Sequence, residues 1–167
     1  PFDACNLGSI NLSKFVTNHQ INWPRLKQVV HLAVRMLDNV IDAGTYPLPQ
    51  ITETVRANRR IGLGVMGWAD MLFKLNVPYD SNEGIELAKK VMQFIQTESW
   101  LASEILAKEK GVFPRWSQSS FKQQGRKVRN IAITTIAPTG TISMVADCSS
   151  GIEPAFALAY VKNVVDD

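Results

Sequence analysis

Residues 60–70 read Arg-Ile-Gly-Leu-Gly-Val-Met-Gly-Trp-Ala-Asp, RIGLGVMGWAD. Within it, Gly62–Gly67 match the G-x-G-x-x-G spacing of dinucleotide-binding folds, and whether this is that fingerprint decides the fold. The fingerprint needs a strand before its first glycine, a long helix after its third, and an acidic residue about 20 positions on, at the end of a second strand. Upstream stand Arg56, Asn58, Arg59 and Arg60, with Ile61 alone before Gly62. Downstream, residues 67–75 are followed by Asn76 and Pro78 and then another helix, so no second strand presents Asp80 or Glu83 to a ribose. The glycines are read instead as positions where a strand packs closely on its neighbours or lines a tight pocket. A brief buried strand is expected at Ile61–Val65.

Working outward, the spacing predicts helices on both sides. Asn22 is placed to cap a helix with Pro24 in its first turn. Leu26, Val29, Val30, Ala33, Leu37, Val40 and Ile41 recur at helical spacing up to Gly44. Residues 49–58 read as a short polar helix or loop, and 69–75 as a short helix. Ser81 opens the longest helix, with Glu83 and Glu86 favouring its positive end. Its apolar positions are Ile85, Ala88, Val91, Phe94, Ile95, Trp100, Leu101, Ile105 and Leu106, and it runs to Gly111. Residues 114–129 read as a linker-like stretch, and the N-terminal residues as a loop.

Asn130-Ile-Ala-Ile-Thr-Thr-Ile136 has the β-branched content of a buried parallel strand. A second apolar run, Ala155–Val161, is expected to be another strand. Strands separated by helices give an α/β fold with parallel strands.

Bulk properties narrow the function. With 167 residues, 46% of them hydrophobic and 20% charged, the chain has enough material for one domain with a real core. A net charge of +3, partly gathered in Arg56/Arg59/Arg60 and Lys122/Arg126/Lys127/Arg129, argues against nucleic acid as a partner and is compatible with a small anionic ligand. The second cluster is read as solvated surface. No apolar run is long enough to span a membrane. Cys5 and Cys148 are far apart and fit no metal spacing, so a cytoplasmic protein with reduced or redox-active thiols is expected. His19 and His31 have no ligand partner at useful spacing, so no metal site is expected. The chain starts at Pro1 and stops directly after an apolar run, and is read as a piece of a larger protein.

Two stretches carry chemistry. The turn Ala137-Pro138-Thr139-Gly140-Thr141-Ile142-Ser143 follows the predicted strand and should lie at its carboxyl end, where α/β folds bind ligands. Gly140 is expected to turn successive amides inward, with Thr139, Thr141 and Ser143 adding hydroxyls, a combination suited to phosphate. An ordinary capped strand-to-helix turn would look similar. Cys5 lies in a stretch too polar for a core strand and too apolar for a tail. From the residues alone it is a buried small side chain or a redox thiol. Glu153 is equally a buried acid or part of a turn.

Four motifs in order, Ala4–Leu12 (ACNLGSINL), Arg60–Gly67 (RIGLGVMG), Ala137–Ser143 (APTGTIS) and Cys148–Pro154 (CSSGIEP), resemble the large subunits of ribonucleotide reductases across nearly the whole chain. The wording of ADCSSGIEP is most similar to the adenosylcobalamin-dependent class II enzymes. The resemblance implies an α/β fold, the second half of a ten-stranded barrel built from two antiparallel five-stranded halves. Residues 1–167 would form a partial catalytic barrel domain, with the radical-cysteine loop and effector site lying upstream.

The resemblance further implies that Cys5 is one of two thiols that reduce the ribose and become a disulfide, its partner lying outside these residues. A Cys5–Cys148 pair is the less favoured alternative. The turn 137–143 would hold the substrate's phosphates, and Asn6 and Ser9 would touch substrate. The implied activity is reduction of ribonucleoside di- or triphosphates by thiyl-radical chemistry. The implied cofactor is adenosylcobalamin, bound mainly by the full-length enzyme, with an external thioredoxin-like dithiol and a homodimer as implied partners. Cys5 and the Thr139–Thr141 turn are expected to face one ribonucleotide in a shared cavity. The competing readings are a class I large subunit served by a separate radical-generating subunit, and a non-catalytic phosphate-binding module.

Overall fold

The computed structural model describes residues 2–157, 159 and 161. The elements are β1 (Asn6–Asn11), a 3-10 turn (Leu12–Phe15), β2 (Val16–Thr17), β3 (Gln20–Ile21), α1 (Trp23–Ala43), α2 (Pro49–Asn58), β4 (Ile61–Met66), α3 (Trp68–Leu75) and α4 (Asn82–Lys110). They continue with a 3-10 turn (Pro114–Gln118), α5 (Ser120–Gln123) and α6 (Gly140–Val145). β1 and β4 pair in parallel, Asn6 opposite Ile61 through Asn11 opposite Met66, while β2 and β3 form a small antiparallel ribbon.

Gly62 and Gly64 sit inside β4, and only Gly67, with φ 70°, stands in a strand-to-helix turn, where it leads into the eight-residue α3; this removes the dinucleotide reading. In β4 the residues alternate between two sheet faces. Ile61, Leu63 and Val65 are each about 1% exposed and pack into the core under α1. Gly62 and Gly64 occupy the other face. A Cβ at Gly62 would lie 2.6 Å from Leu7 Cδ2 and 2.9 Å from Thr135 Cγ2, so only hydrogen fits there. The close-packing expectation therefore holds, with the strand one residue longer than expected.

Asn130–Ile136 does not form a regular strand. It runs parallel beside β4 through one bridge, Leu63 opposite Thr134. Leu63 N donates to Ile133 O at 2.6 Å and Thr135 N to Leu63 O at 3.0 Å. Asn130 is pulled out of the ladder because its side chain bonds Asp38 Oδ1 and Arg59 O, both at 3.0 Å. β1 itself was not anticipated as a strand. Its Gly8 and Asn11 weaken the apolar alternation, and parallel pairing with β4 supplies the order. Residues 155–157 carry no strand, and Leu158 and Tyr160 of the expected strand lie outside the described residues.

The helices follow their caps. Asn22 Oδ1 accepts from Arg25 N at 3.0 Å, and Ser81 Oγ accepts from Gly84 N at 3.0 Å. Leu26, Val30, Val34, Leu37 and Ile41 make one buried stripe along α1. Each such side chain stabilises by about 1.5–3 kcal/mol relative to exposure. Val40, on the edge of that stripe, is exposed. In α4 the buried line is Val91, Ile95, Ala102 and Leu106, whereas Ile85, Leu101 and Ile105 face outward. The apolar positions of α4 thus span two faces, of which the core takes one.

The basic clusters are occupied within the fold. Arg59 is 3% exposed with a left-handed φ of 50°, and its guanidinium bonds Asp38 Oδ1 at 2.9 Å and Asp42 Oδ1 at 2.8 Å. Arg129 Nε reaches Asp38 Oδ2 at 3.4 Å, and Arg126 Nε bonds Glu104 at 2.7 Å while its guanidinium lies over Trp100. Arg126 and Arg129 therefore clip the chain leading to residue 130 onto α4 and α1, which corrects the solvated-surface reading for these two, whereas Lys122 and Lys127 are exposed.

Candidate functional site

α1 packs on the β1–β4 pair from the face that carries Gly8, Ile10 and Leu63. The opposite face is open and carries Cys5, Leu7, Ser9, Gly62, Gly64 and Thr135. A Cβ at Gly62 would lie 3.3 Å from Cys5 Sγ, and one at Gly64 would lie 3.5 Å from Ser9 Oγ, which places both polar side chains on that face. Leu7 between them is 59% exposed. The two glycines keep the floor low beneath these groups.

Cys5 sits just before β1. Its thiol donates to the Asn6 carbonyl at 3.6 Å. The residue is exposed overall, yet its sulfur lies against β4, and that partial burial pushes the thiol pKa up. Arg60 opposes the rise and Asp3 adds to it. Arg60 is itself engaged, with Nε donating to Asp3 Oδ2 at 3.1 Å. Asn6 points the other way. Its Nδ2 donates to Leu37 O of α1 at 3.4 Å, so its side chain does not share the face of Cys5.

The turn 137–143 lies at the carboxyl end of the parallel strands, as expected. Its backbone differs in one respect: Thr139, not Gly140, takes the left-handed conformation, with φ 55°. A Cβ at Gly140 would meet nothing within 4 Å, so open space stands over this residue. α6 starts here without a side-chain cap, and the first amides of a helix have no partner within it. Thr139 Oγ1 accepts from Gly151 N at 2.7 Å, and Ser143 Oγ shares a hydrogen bond of 2.9 Å with Ser150 Oγ. Both hydroxyls are buried in the loop, whereas Thr141 faces outward.

The loop after α6 is fastened to the sheet end. Ser149 N donates to Asp70 Oδ2 at 2.6 Å, Gly67 N to Ser149 O at 2.7 Å, and Asn11 Nδ2 to Ala146 O at 3.3 Å. Asp70 closes the opening stretch and Asn11 closes β1. Sequence reading passed over both, although an acid in the first turn of α3 was visible as a favourable partner for a helix start. Cys148 belongs to this loop, and burial, then Asp70 and Asp147, push its thiol pKa up. Glu153 is exposed there, in a turn closed by its own amide to Ser150 O at 3.0 Å.

Cys5 and the turn thus lie at opposite ends of the sheet. From Cys5 to Asn11 the rise is roughly 20 Å at about 3.3 Å per residue. None of five cavities found among the described residues is lined by both, so the expected shared cavity is not seen in them. The reason is geometric: three parallel segments covered by helices on one side make a wall, and an enclosed site needs a facing wall.

No cluster of three or more metal-binding side chains occurs among the described residues. His19 Nδ1 lies 2.9 Å from Lys74 O and His31 Nε2 lies 2.7 Å from Glu98 Oε2.

Known proteins resemble this chain along its length. The vitamin B12-dependent ribonucleoside-diphosphate reductase of Thermoplasma acidophilum is 55% identical over 167 residues, 99% of this chain and 22% of the relative. The protein of the same name from Mycobacterium tuberculosis (strain ATCC 25618 / H37Rv) is 47% identical over 165 residues, 99% of this chain and 23% of the relative. The ribonucleoside-diphosphate reductase subunit alpha of Helicobacter pylori (strain J99) is 35% identical over 187 residues, covering 92% of this chain and 23% of that subunit. The chain thus spans less than a quarter of the length of these curated relatives. The family model described as ribonucleotide reductase, barrel domain, matches residues 2–127 and 120–167. On that match, over an α/β scaffold of parallel strands, the chain belongs to the ribonucleotide reductase barrel-domain family.

Proposed function

We propose that the intact protein containing this chain reduces ribonucleoside diphosphates to 2′-deoxyribonucleotides, and that residues 1–167 form part of its catalytic barrel. The observation carrying this reading is the open face of the β1–β4 pair. There a thiol stands at one end, a glycine floor runs between, and a turn with free leading amides stands at the other, in a chain of this family. The named relatives act on diphosphates, which selects that substrate over triphosphates. The remaining strands of a ten-stranded barrel would supply the facing wall that encloses the site.

In this reading Cys5 is one of two reducing thiols, and the second comes from outside these residues. The pair loses two electrons and two protons and becomes a disulfide. The ribose gains them, and its 2′ hydroxyl leaves as water. An external dithiol of the thioredoxin class then resets the pair. The thiyl-radical chemistry that starts the reaction would be supplied by adenosylcobalamin, as the relatives' names imply, bound mainly by the full-length enzyme. Ser9 faces the ribose end, and Thr141 with the amides of residues 140–142 faces the phosphates. A raised thiol pKa keeps Cys5 protonated near neutral pH, so that it holds a proton to deliver. Free thiols in this role suit the cytoplasm.

The test is Cys5→Ser in the intact protein. Multiple-turnover reduction is expected to fall by at least about a thousandfold, as for loss of a group that acts within a catalytic unit, while nucleotide affinity stays within about twofold. Turnover at the wild-type rate would refute the assignment. A requirement for adenosylcobalamin, and not for a second subunit, separates this reading from a class I large subunit.

A further inference from the structure

Thr139, the residue that opens the phosphate turn, holds a backbone conformation that non-glycine residues seldom adopt. It is kept there from the following loop. Gly151 N donates to Thr139 Oγ1 at 2.7 Å, Cys148 N donates to Ser143 O at 3.0 Å, and Ser150 Oγ meets Ser143 Oγ at 2.9 Å. That loop is anchored at residue 149, whose amide donates to Asp70 Oδ2 at 2.6 Å and whose carbonyl accepts from Gly67 N at 2.7 Å. The first of these is a short, charge-assisted bond, the stronger class of hydrogen bond.

Behind the loop there is room. A cavity of about 440 Å³ is lined by Asp70, Ser143, Cys148, Ser149, Ser150 and Glu153, among others. The Ser149 hydroxyl oxygen is itself buried and has no hydrogen-bond partner among the described residues. A loop backed by open volume is not wedged in place by packing, so its position depends on the bonds that tether it.

We propose that Asp70 is a positioning residue for the substrate: through the Ser149 amide it sets where the turn Thr139–Ser143 stands over the sheet end, and so sets affinity for the phosphate end of the nucleotide. This rests on the phosphate assignment made above. Asp70 touches no substrate atom in this scheme. It acts from the first turn of α3, one element removed, and what matters is the location of its oxygen. A displacement of about 1 Å in such a support commonly costs ten- to a hundredfold.

The experiment uses the intact protein and measures affinity for a ribonucleoside diphosphate and for the corresponding unphosphorylated nucleoside. Thermal unfolding serves as a check on folding. Asp70→Ala is expected to weaken diphosphate binding at least about tenfold and to raise KM more than it lowers kcat, with nucleoside affinity unchanged. Asp70→Asn keeps an acceptor oxygen in place and should stay within about threefold of wild type. Asp70→Glu keeps the charge but moves the oxygen by one methylene, and should weaken diphosphate binding more than Asp70→Asn does.

A folded Asp70→Ala with unchanged diphosphate affinity overturns the proposal. So does an equal loss for nucleoside and diphosphate, or Asp70→Glu binding better than Asp70→Asn. Where Asp70→Ala does not fold, the order of the Asn and Glu variants decides. Gly140→Val, which fills the space over the turn, tests the underlying assignment separately. If it too leaves diphosphate affinity unchanged, the phosphate site itself is wrong. If it weakens binding while Asp70→Ala does not, only the role of Asp70 is refuted.

Discussion

Gly64 and the Thr135 carbonyl oxygen stand so close that a Cβ on residue 64 would lie 2.7 Å from that oxygen. The obstacle is backbone, which cannot rotate away as a side chain can. Gly64→Ala should therefore push the 131–135 segment off β4 and destabilise the fold by about 1–3 kcal/mol, the usual cost of overpacking. Gly140→Ala, where a Cβ meets nothing within 4 Å, should fall within about 0.5 kcal/mol of wild type. Urea unfolding of the intact protein compares the two, and equal destabilisation would contradict the packing described here.

Cys5 and Cys148 should not form a disulfide with each other in the folded protein. The Cys5 sulfur lies over Gly62 and the Cys148 Cβ beside Gly67. Five residue steps lead from one glycine to the other, roughly 17 Å at about 3.3 Å per residue. A disulfide needs Cα atoms within about 7 Å. Mild oxidation followed by peptide mapping should show neither thiol linked to the other, and a Cys5–Cys148 peptide from folded protein would refute the sheet arrangement. Each thiol pKa is raised chiefly by burial, so less thiolate is present at a given pH. Alkylation of Cys5 should then need a higher pH than a free cysteine does, and Arg60→Ala should push that requirement higher still, because Arg60 lowers the pKa.

Acid should loosen α1 at two places, its Asp42 pair with Arg59 and its contact with Glu98 of α4. Arg59 holds the Asp42 carboxyl below its ordinary value of 3.8, chiefly by hydrogen bonding. Burial alone would raise Glu98, but hydrogen bonds from His31 and Lys27 outweigh it and hold the carboxyl below its ordinary 4.5. A carboxylate whose pKa is lower in the folded state adds stability above its unfolded pKa and loses it as pH falls through the folded value. The loss should therefore begin near pH 4.5 and continue below it. Glu98→Gln should shrink the fall in Tm between about pH 5 and about pH 3. An unchanged fall would remove the His31–Glu98–Lys27 cluster as a source of stability.

The helices were legible because their signals are local. Asn22, Pro24, Gly44, Ser81 and Gly111 mark helix ends through contacts within a few residues of themselves. The brief apolar run Ile61–Val65 announced β4 for a similar reason, since a short buried strand can be read from its own residues. β1 was not legible, because what orders Asn6–Asn11 is a partner more than 50 positions away. Asn130–Ile136 misled in the opposite direction. Its composition is that of a strand, but the side chain of Asn130 is committed to Asp38 and Arg59, and only one bridge forms.

The candidate site divides along the same line. The turn 137–143 and Cys5 came from motifs, whereas Asn11 and Asp70, which fasten the turn, emerge only when residues 11, 70, 146 and 149 are brought together. The left-handed residue of the turn was placed one position late. Gly140 is the obvious candidate for such a conformation, yet Thr139 adopts it because its hydroxyl is held by Gly151.

β1 carries Cys5 just before its first residue and ends in Asn11, and both belong to the odd-numbered side of the strand. The segment therefore works as a gauge graduated in residue pairs. Inserting or deleting a single residue between positions 5 and 11 would send one of the two through to the helix-covered side, while a change of two would lengthen or shorten the reach and leave both on the open side. Any drift in the spacing between thiol and turn is therefore confined to even steps.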